Sequence, residues 1–185
     1  MNLNNLITIY TIGHSNRTID ELIKALQSVP ISTIVDVRAH PQSQRHPQFS
    51  QSVLRQSLEA VGIIYHWAGK SLGGRRAAQG NSKHIAIEDE SIRAYADYMD
   101  SDEFQKAAVQ LVNLAGRAKT AILCAEKNPE HCHRSLIADY LMLQGIEVHH
   151  IVDPETIVSH QLSPLARRES QQLIYDRGVT RTLDL

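Results

Sequence analysis

Cysteine is scarce in this chain. It has two in 185 residues, Cys124 and Cys132, too few for a disulfide scaffold, so the thiols are expected to be reduced. Long apolar runs are absent too. No stretch approaches the roughly 20 residues a helix needs to cross a bilayer, which excludes a membrane partner. The opening residues, Met1-Asn-Leu-Asn-Asn-Leu6, have neither a basic start nor an apolar stretch, so no signal peptide is expected. Net charge is also small: 19 Lys and Arg against 20 Asp and Glu give −1. That balance excludes a global positive field of the kind bulk nucleic-acid binding needs. There is no internal repeat. What remains is a protein expected in the cytoplasm, whose 42% hydrophobic content suffices for one sizeable core.

The order of elements is legible in the pattern of apolar residues. Leu6 to Ile12 is a short β-branched run closed by Gly13 and predicts a buried strand. Thr18-Ile-Asp-Glu21 has the form of a capping box, followed by Ile19, Leu22, Ile23 and Leu26 on one helical face. Ser32 to Val37 predicts a second strand and Ile63 to Tyr65 a third, with Ser50 capping a helix that runs toward Gly62. Ile92, Tyr95, Ala96 and Met99 line one helix, and Phe104, Ala108, Leu111 and Val112 another. Thr120 to Cys124 predicts a strand, Asn128 to Gln144 a helix ended by Gly145, and Glu147 to Val152 the last strand, closed by Pro154. Gly69 to Ser82 reads as a long loop.

Alternating helices and near-continuous apolar strands imply an α/β fold, a three-layer sandwich with a mainly parallel sheet covered by helices on both faces. Residues 1–153 are expected to form a single domain. Residues 154–185 form a polar C-terminal extension, partly helical, with a helix over Pro164 to Tyr175.

Polar clusters follow the strands. Gly13-His-Ser-Asn-Arg17 comes after the first, Asp36-Val-Arg-Ala-His-Pro-Gln-Ser43 after the second, and His66, Trp67 and the loop with Arg75 and Arg76 after the third. In a parallel sheet all of these reach the carboxyl edge, where ligands of such folds bind. Arg17, Arg38, Arg75 and Arg134 there suggest an anion site, because guanidinium forks match phosphate and carboxylate and helix N-termini add favourable potential. The alternative for any one arginine is a local carboxylate partner or plain solvation.

The segment Ile122-Leu-Cys-Ala-Glu-Lys-Asn-Pro-Glu-His-Cys-His-Arg134 holds both cysteines, a carboxylate and two histidines. With Asn128 as cap and Pro129 first in the helix, Cys132 falls in the first turn, where a thiolate is favoured. It is a candidate nucleophile. The spacing differs from phosphatase and sulfurtransferase loops, which place arginine six residues after cysteine; here Glu130 and Ala138 stand there. Cys124, Cys132, His131 and His133 are equally a set of soft and borderline metal ligands, although consecutive Cys132 and His133 point apart on a helix. Cys124 has a plainer role open to it, as a small apolar residue ending a buried strand. His149 and His150 alternate on the last strand, one buried and one exposed, and read as structural.

Tyr10-Thr-Ile-Gly-His-Ser-Asn-Arg17, Asp36-Val-Arg38 with Pro41 and Ser43, Leu72-Gly-Gly-Arg75, and Cys124-Ala-Glu126 with Cys132-His-Arg134 together resemble the family catalogued as domain of unknown function 488. The order and spacing fit from Ile9 to about Val152. The resemblance implies an α/β fold, a cytoplasmic setting and a shared site at these positions, with no established reaction.

The resulting expectation is an enzyme, a hydrolase among the candidates, acting on a small anionic substrate that bears phosphate, such as a nucleotide or a nucleic-acid end. Arg17, Arg38, Arg75 and Arg134 would hold the anion. Glu126 or His14 would move protons, and Cys132 would act as nucleophile or ligand. Ser15, Asn16, Asp36, Ser43, Cys124 and His133 would complete the pocket. Two other classes stay open: a non-catalytic nucleotide or nucleic-acid binding module with Tyr65 and Trp67 as stacking surfaces, and a metalloprotein built on the Cys/His cluster. The cofactor is unassigned.

Overall fold

Ile34 and Val35 are neighbours in one strand, yet they bury into different cores, as in a sheet covered on both faces. The structure, a computed structural model, describes residues 6–179. Most of the opening segment read for a signal peptide, and the end of the C-terminal extension, lie outside the described residues. The chain runs β1 (Thr8–Gly13), α1 (Ile19–Gln27), β2 (Thr33–Asp36), a 3-10 turn (Pro47–Phe49), α2 (Gln51–Glu59), β3 (Ile64–Trp67), α3 (Gly69–Leu72), α4 (Glu90–Tyr98) and α5 (Asp102–Ala115). It continues through β4 (Thr120–Cys124), a second 3-10 turn (Pro129–His131), α6 (Arg134–Leu143), β5 (Glu147–Asp153), β6 (Thr156–Ser159), β7 (Ala166–Glu169) and β8 (Gln172–Tyr175).

Strand order is β3-β2-β4-β1-β5-β6. The first five strands are parallel and β6 is antiparallel at the edge. One core joins Ile12, Ile34, Ala121 and Leu123 to Leu22 and Leu26 of α1 and Leu54 and Leu58 of α2. The other joins Ile9, Val35, Ile122 and Val148 to α3, α4, α5 and α6. The three-layer sandwich expected from the sequence is therefore the fold. The Thr18–Glu21 capping box forms as read, with both reciprocal bonds present.

Topology fixes where a ligand can enter. The chain leaves β1 and β2 toward the α1–α2 face and leaves β4, which lies between them, toward the opposite face. Loops diverge on either side of β4 and open a crevice at the carboxyl edge. Gly13 pairs with Cys124, and Asp36 with both Leu123 and Trp67, so the strand ends are level and their polar loops do share one edge. At Gly13 the loops touch: a Cβ there would lie 1.7 Å from the Glu126 carbonyl oxygen, so only glycine lets them pass.

Four expectations need correction. The segment read as a loop from Gly69 to Ser82 opens with a helical turn, α3. The segment from Asn128 to Gln144 is not one helix. A 3-10 turn ends at His131, Cys132 is extended (φ −142°, ψ 143°), and α6 begins at Arg134. Asn128 makes no side-chain cap. Pro164 to Tyr175 is not helical but a β-hairpin, closed through Ser170 at positive φ. Its Leu173 and Tyr175 bury into the main core, so tertiary packing decides its conformation. A last short strand, β6, follows the one expected to close the sheet.

Candidate functional site

A cleft of about 460 Å³ opens at the carboxyl edge between the loops after β1, β2 and β4. His14, Ser15 and Asn16 line it from the first loop, Arg38, His40, Gln42, Ser43, Arg45 and His46 from the second, and Ala125 and Glu126 from the third. A second cavity, about 290 Å³, adjoins it and shares Arg38, His40, Ala125 and Glu126. Its far wall carries Cys124, Cys132, His133, Gly74 and Arg75.

The floor is one buried network. Asp36, fully enclosed, accepts from Arg38 Nε at 2.9 Å, Arg38 Nη2 at 2.5 Å and the Tyr65 hydroxyl at 2.6 Å. Burial alone would lower the basicity of the Arg38 guanidinium, but the Asp36 carboxylate outweighs it and raises it. Burial, reinforced by Asp36, pushes the Tyr65 phenol up. Arg38 Nη1 donates to the Phe49 carbonyl at 2.8 Å and toward His14 Nε2 at 3.2 Å. His14 Nδ1–H in turn donates to the Ser15 carbonyl at 2.8 Å. Burial holds His14 neutral, with its pKa lowered to about 4, and its ring stacks on Phe49 at 4.3 Å. Both ring nitrogens are engaged, so His14 supports Arg38 and has no free nitrogen for the proton transfer expected of it.

The sulfur end is equally enclosed. Cys124 Sγ and Cys132 Sγ lie 3.9 and 3.7 Å from His133 Nδ1, and the three atoms all fall within 4.8 Å of one another. The hydrogen bond from Cys124 lowers the Cys132 thiol, with help from His133 and against burial; the same bond, with burial, pushes Cys124 up. The extended backbone at Cys132 turns both its side chain and that of His133 to one point. The sequence argument that consecutive residues diverge assumed a helix that is not there.

The expected anion arginines divide. Arg17, largely buried, donates to the Gly13 and Val152 carbonyls and pairs with Asp153 at 3.1 Å. Arg134, 1% exposed, donates to Thr11 Oγ1 at 3.1 Å and to the carbonyls of Glu126 at 2.5 Å and Lys127 at 3.2 Å. These two brace the strand-end loops, and neither lines the cleft or the cavity with the sulfurs, although Arg17 lines a further cavity of about 450 Å³ with Ser15, Asn16, Lys24 and Lys127. Arg38 and Arg75 do line them. Arg75 is exposed, with no ion-pair partner among the described residues. Glu126 is exposed on the rim common to both cavities. Ser43 accepts the His46 amide at 2.9 Å and shapes the second loop. Asp36 lies beneath the floor and does not face the cleft. Tyr65, 2% exposed, cannot stack on a base. Trp67 is partly open and donates to the Arg38 carbonyl at 3.0 Å.

Two groups escape the sequence reading. Arg45 and His46 project into the cleft, beside His40 of the Asp36 to Ser43 cluster, from the long connection after β2; the signal was the continued polar run Gln44-Arg-His46 beyond Ser43. The other is a buried chain on the opposite sheet face. Arg134 donates to Thr11, and Thr11 Oγ1 lies 2.7 Å from His150 Nδ1. His150 Nε2 lies 2.9 Å from His160 Nδ1, and His160 Nε2 2.8 Å from Asp139. Asp139 also accepts from the Tyr175 hydroxyl at 2.9 Å. Since Arg134 can only donate and Asp139 accepts at the other end, every hydrogen bond in the chain points from Arg134 to Asp139.

Fold and site together define a doubly wound α/β protein with a donor-rich cleft at its switch point and a Cys/His cluster at one end. The family model for Domain of unknown function DUF488 matches residues 18–141, and the chain belongs to that family. The matched stretch includes Arg38, Cys124, Cys132 and His133 but not His14. No curated protein matches the chain, and no solved structure does.

Proposed function

We propose that this DUF488 protein is an enzyme acting on a small phosphate-bearing substrate, held in the cleft and transformed at the Cys/His cluster. One observation carries the reading: Arg45 and Arg75 stand on the two cavity walls without a carboxylate partner among the described residues. Beside them are Arg38, His40 and His46, with Glu126 as the single carboxylate on the lining. In a chain of net charge −1, such a local excess of cationic donors is a recognition surface for an anion rather than a general field. Glu126, on the shared rim, is the group placed to move a proton between the two ends. Burial of Tyr65 removes one of the two aromatic stacking surfaces, which favours a small anion or a nucleotide over an extended nucleic acid.

Calorimetry with inorganic phosphate and nucleoside phosphates at low salt tests this. A charge-assisted hydrogen bond contributes about 1.5–3 kcal/mol, so Arg45→Ala should weaken binding at least about tenfold. An unchanged affinity in Arg45→Ala and Arg75→Ala, or a parent protein that binds none of these anions, sinks the reading.

A further inference from the structure

We propose that Cys124 Sγ, Cys132 Sγ and His133 Nδ1 hold one borderline-soft divalent cation, zinc by preference, with a fourth coordination position open to the cleft. The distances fit before any metal enters. Zinc–sulfur and zinc–nitrogen bonds of about 2.3 and 2.0–2.1 Å in a tetrahedron put neighbouring ligand atoms roughly 3.5–3.8 Å apart. Here Nδ1 lies 3.7 and 3.9 Å from the two sulfurs, and all three atoms are within 4.8 Å of one another. Only small side-chain rotations separate this arrangement from a bound one.

An independent feature points the same way. His133 Nε2 lies 3.2 Å from the Val37 carbonyl. A carbonyl only accepts, so this nitrogen carries a proton, and in the neutral ring that a cation would bind Nδ1 presents its lone pair to the sulfurs. A backbone acceptor on the far nitrogen is how ligating histidines are oriented. Space is reserved as well. A Cβ at Gly74 would lie 2.5, 2.9 and 3.1 Å from His133 Nδ1, Cγ and Cε1, over the face of the ring, so only glycine lets the ring lie where its Nδ1 meets the two sulfurs. The ring is held from its other side by Tyr95, centroids 4.8 Å apart.

Charge and access agree. Two thiolates and a divalent cation sum to zero, which a buried site tolerates. The described residues offer no fourth buried ligand, and the site borders the cavity that also holds Arg75 and Glu126. Three protein ligands with an open position make a site that activates water or a substrate oxygen, whereas structural zinc sites are closed by four. The metal site rests on its own geometry; only its use on a phosphate-bearing substrate rests on the function proposed above.

The experiment is cobalt and zinc titration of full-length protein, purified without a histidine tag, stripped with chelator and kept reduced. The expected result is about one equivalent of Co²⁺, with a thiolate-to-cobalt charge-transfer band and the intense visible bands of a four-coordinate site. Cys132→Ser and His133→Ala should weaken uptake by more than the roughly 10–100-fold that loss of an outer partner causes, while His131→Ala should not. Gly74→Ala is the second variant should a cysteine replacement fail to fold; it keeps every ligand's identity but pushes the His133 ring from its seat, and should also weaken uptake. Added azide should shift the visible bands through the open position. Folded protein that takes up no cobalt, a sulfur-free spectrum, or undiminished uptake by both Cys132→Ser and Gly74→Ala would overturn the site. Bands unmoved by azide would overturn its open position. Phosphate calorimetry on the stripped protein separates the two proposals: cobalt uptake without phosphate binding removes the anion cleft alone, and the reverse removes the metal alone.

Discussion

Two buried polar networks meet at the carboxyl edge of this sheet, and they differ in what they leave over. The chain from Arg134 through Thr11, His150 and His160 to Asp139 and Tyr175 is closed. Its charges cancel end to end and nearly every donor meets an acceptor, Arg134 Nε excepted. The cleft network around Arg38 closes at its floor, where Asp36 absorbs the guanidinium, but its upper wall keeps Arg45 and Arg75 without an ion-pair partner among the described residues, and its far end gathers two thiols on one imidazole nitrogen. Equal polarity therefore has two meanings. A closed network holds the fold together, because breaking it strands a charge; an open one costs stability to maintain and is kept for a ligand.

The sharpest way to break the comparison is Asp139→Ala. It takes away the shared acceptor of His160 Nε2, the Tyr175 hydroxyl and the Ser163 amide, and each buried donor left unsatisfied costs about 1–3 kcal/mol. A urea midpoint shift equivalent to less than about 1 kcal/mol would show that the chain is not the closed unit described.

Next in size is acid. Burial, with the neighbouring His160, Arg134 and His149 adding to it, lowers the His150 pKa from 6.5 to about 3. Thr11 and His160 face its two nitrogens, and neither offers it an anion. The unfolded chain takes up a proton near pH 6.5 and the folded one does not, so the unfolded state binds more protons throughout the window between. The contribution of His150 is thus complete above pH 6.5 and is lost as pH falls toward 3. From pH 7 to about 5.5 the loss is roughly 1 kcal/mol. His150→Gln should flatten that slope in chemical unfolding followed across the range; an unchanged slope would mean that His150 does not titrate as its burial requires.

Tyr175→Phe sharpens the same point at a smaller scale. It removes one donor from Asp139, which keeps His160 and the Ser163 amide at 3.0 Å, so about 1 kcal/mol is expected in the same unfolding measurement. A loss as large as that of Asp139→Ala would instead make the hairpin itself the critical element.

Much of the fold was legible because its signals are local. Apolar runs mark β1, β2 and β4, and the Thr18–Glu21 box marks the start of α1. The C-terminal hairpin was not, since Ala166-Arg-Arg-Glu169 shows no alternation and owes its form to burial of Leu173 and Tyr175 against the domain. The sequence located the carboxyl edge and the Cys/His segment but not which of its arginines face the cleft. Charges can be counted along a chain, whereas the carbonyls of Gly13, Val152, Glu126 and Lys127 that occupy Arg17 and Arg134 are set by tertiary approach. The same limit hid the closed chain, whose members stand as far apart in sequence as Thr11 and Tyr175. The one objection the sequence raises to the cluster, that Cys132 and His133 diverge, holds only in a helix, and the extended backbone at Cys132 removes it.

The smallest effect on stability is expected at Arg45→Ala, and that smallness is what the comparison requires. Arg45 is exposed on the cleft wall, with no hydrogen-bond or ion-pair partner among the described residues, so its removal should change stability by no more than about 0.5 kcal/mol. An open network differs from a closed one in that its members answer to a ligand instead of to the fold. The same substitution should therefore leave the urea midpoint in place and still weaken phosphate binding, whereas Asp139→Ala should do the reverse in protein that remains folded. Measured side by side at one ionic strength, because exposed charge contacts weaken with salt, the two variants must separate affinity from stability. If Arg45→Ala destabilises the protein as much as it weakens binding, Arg45 belongs to the fold and the division between the two networks fails.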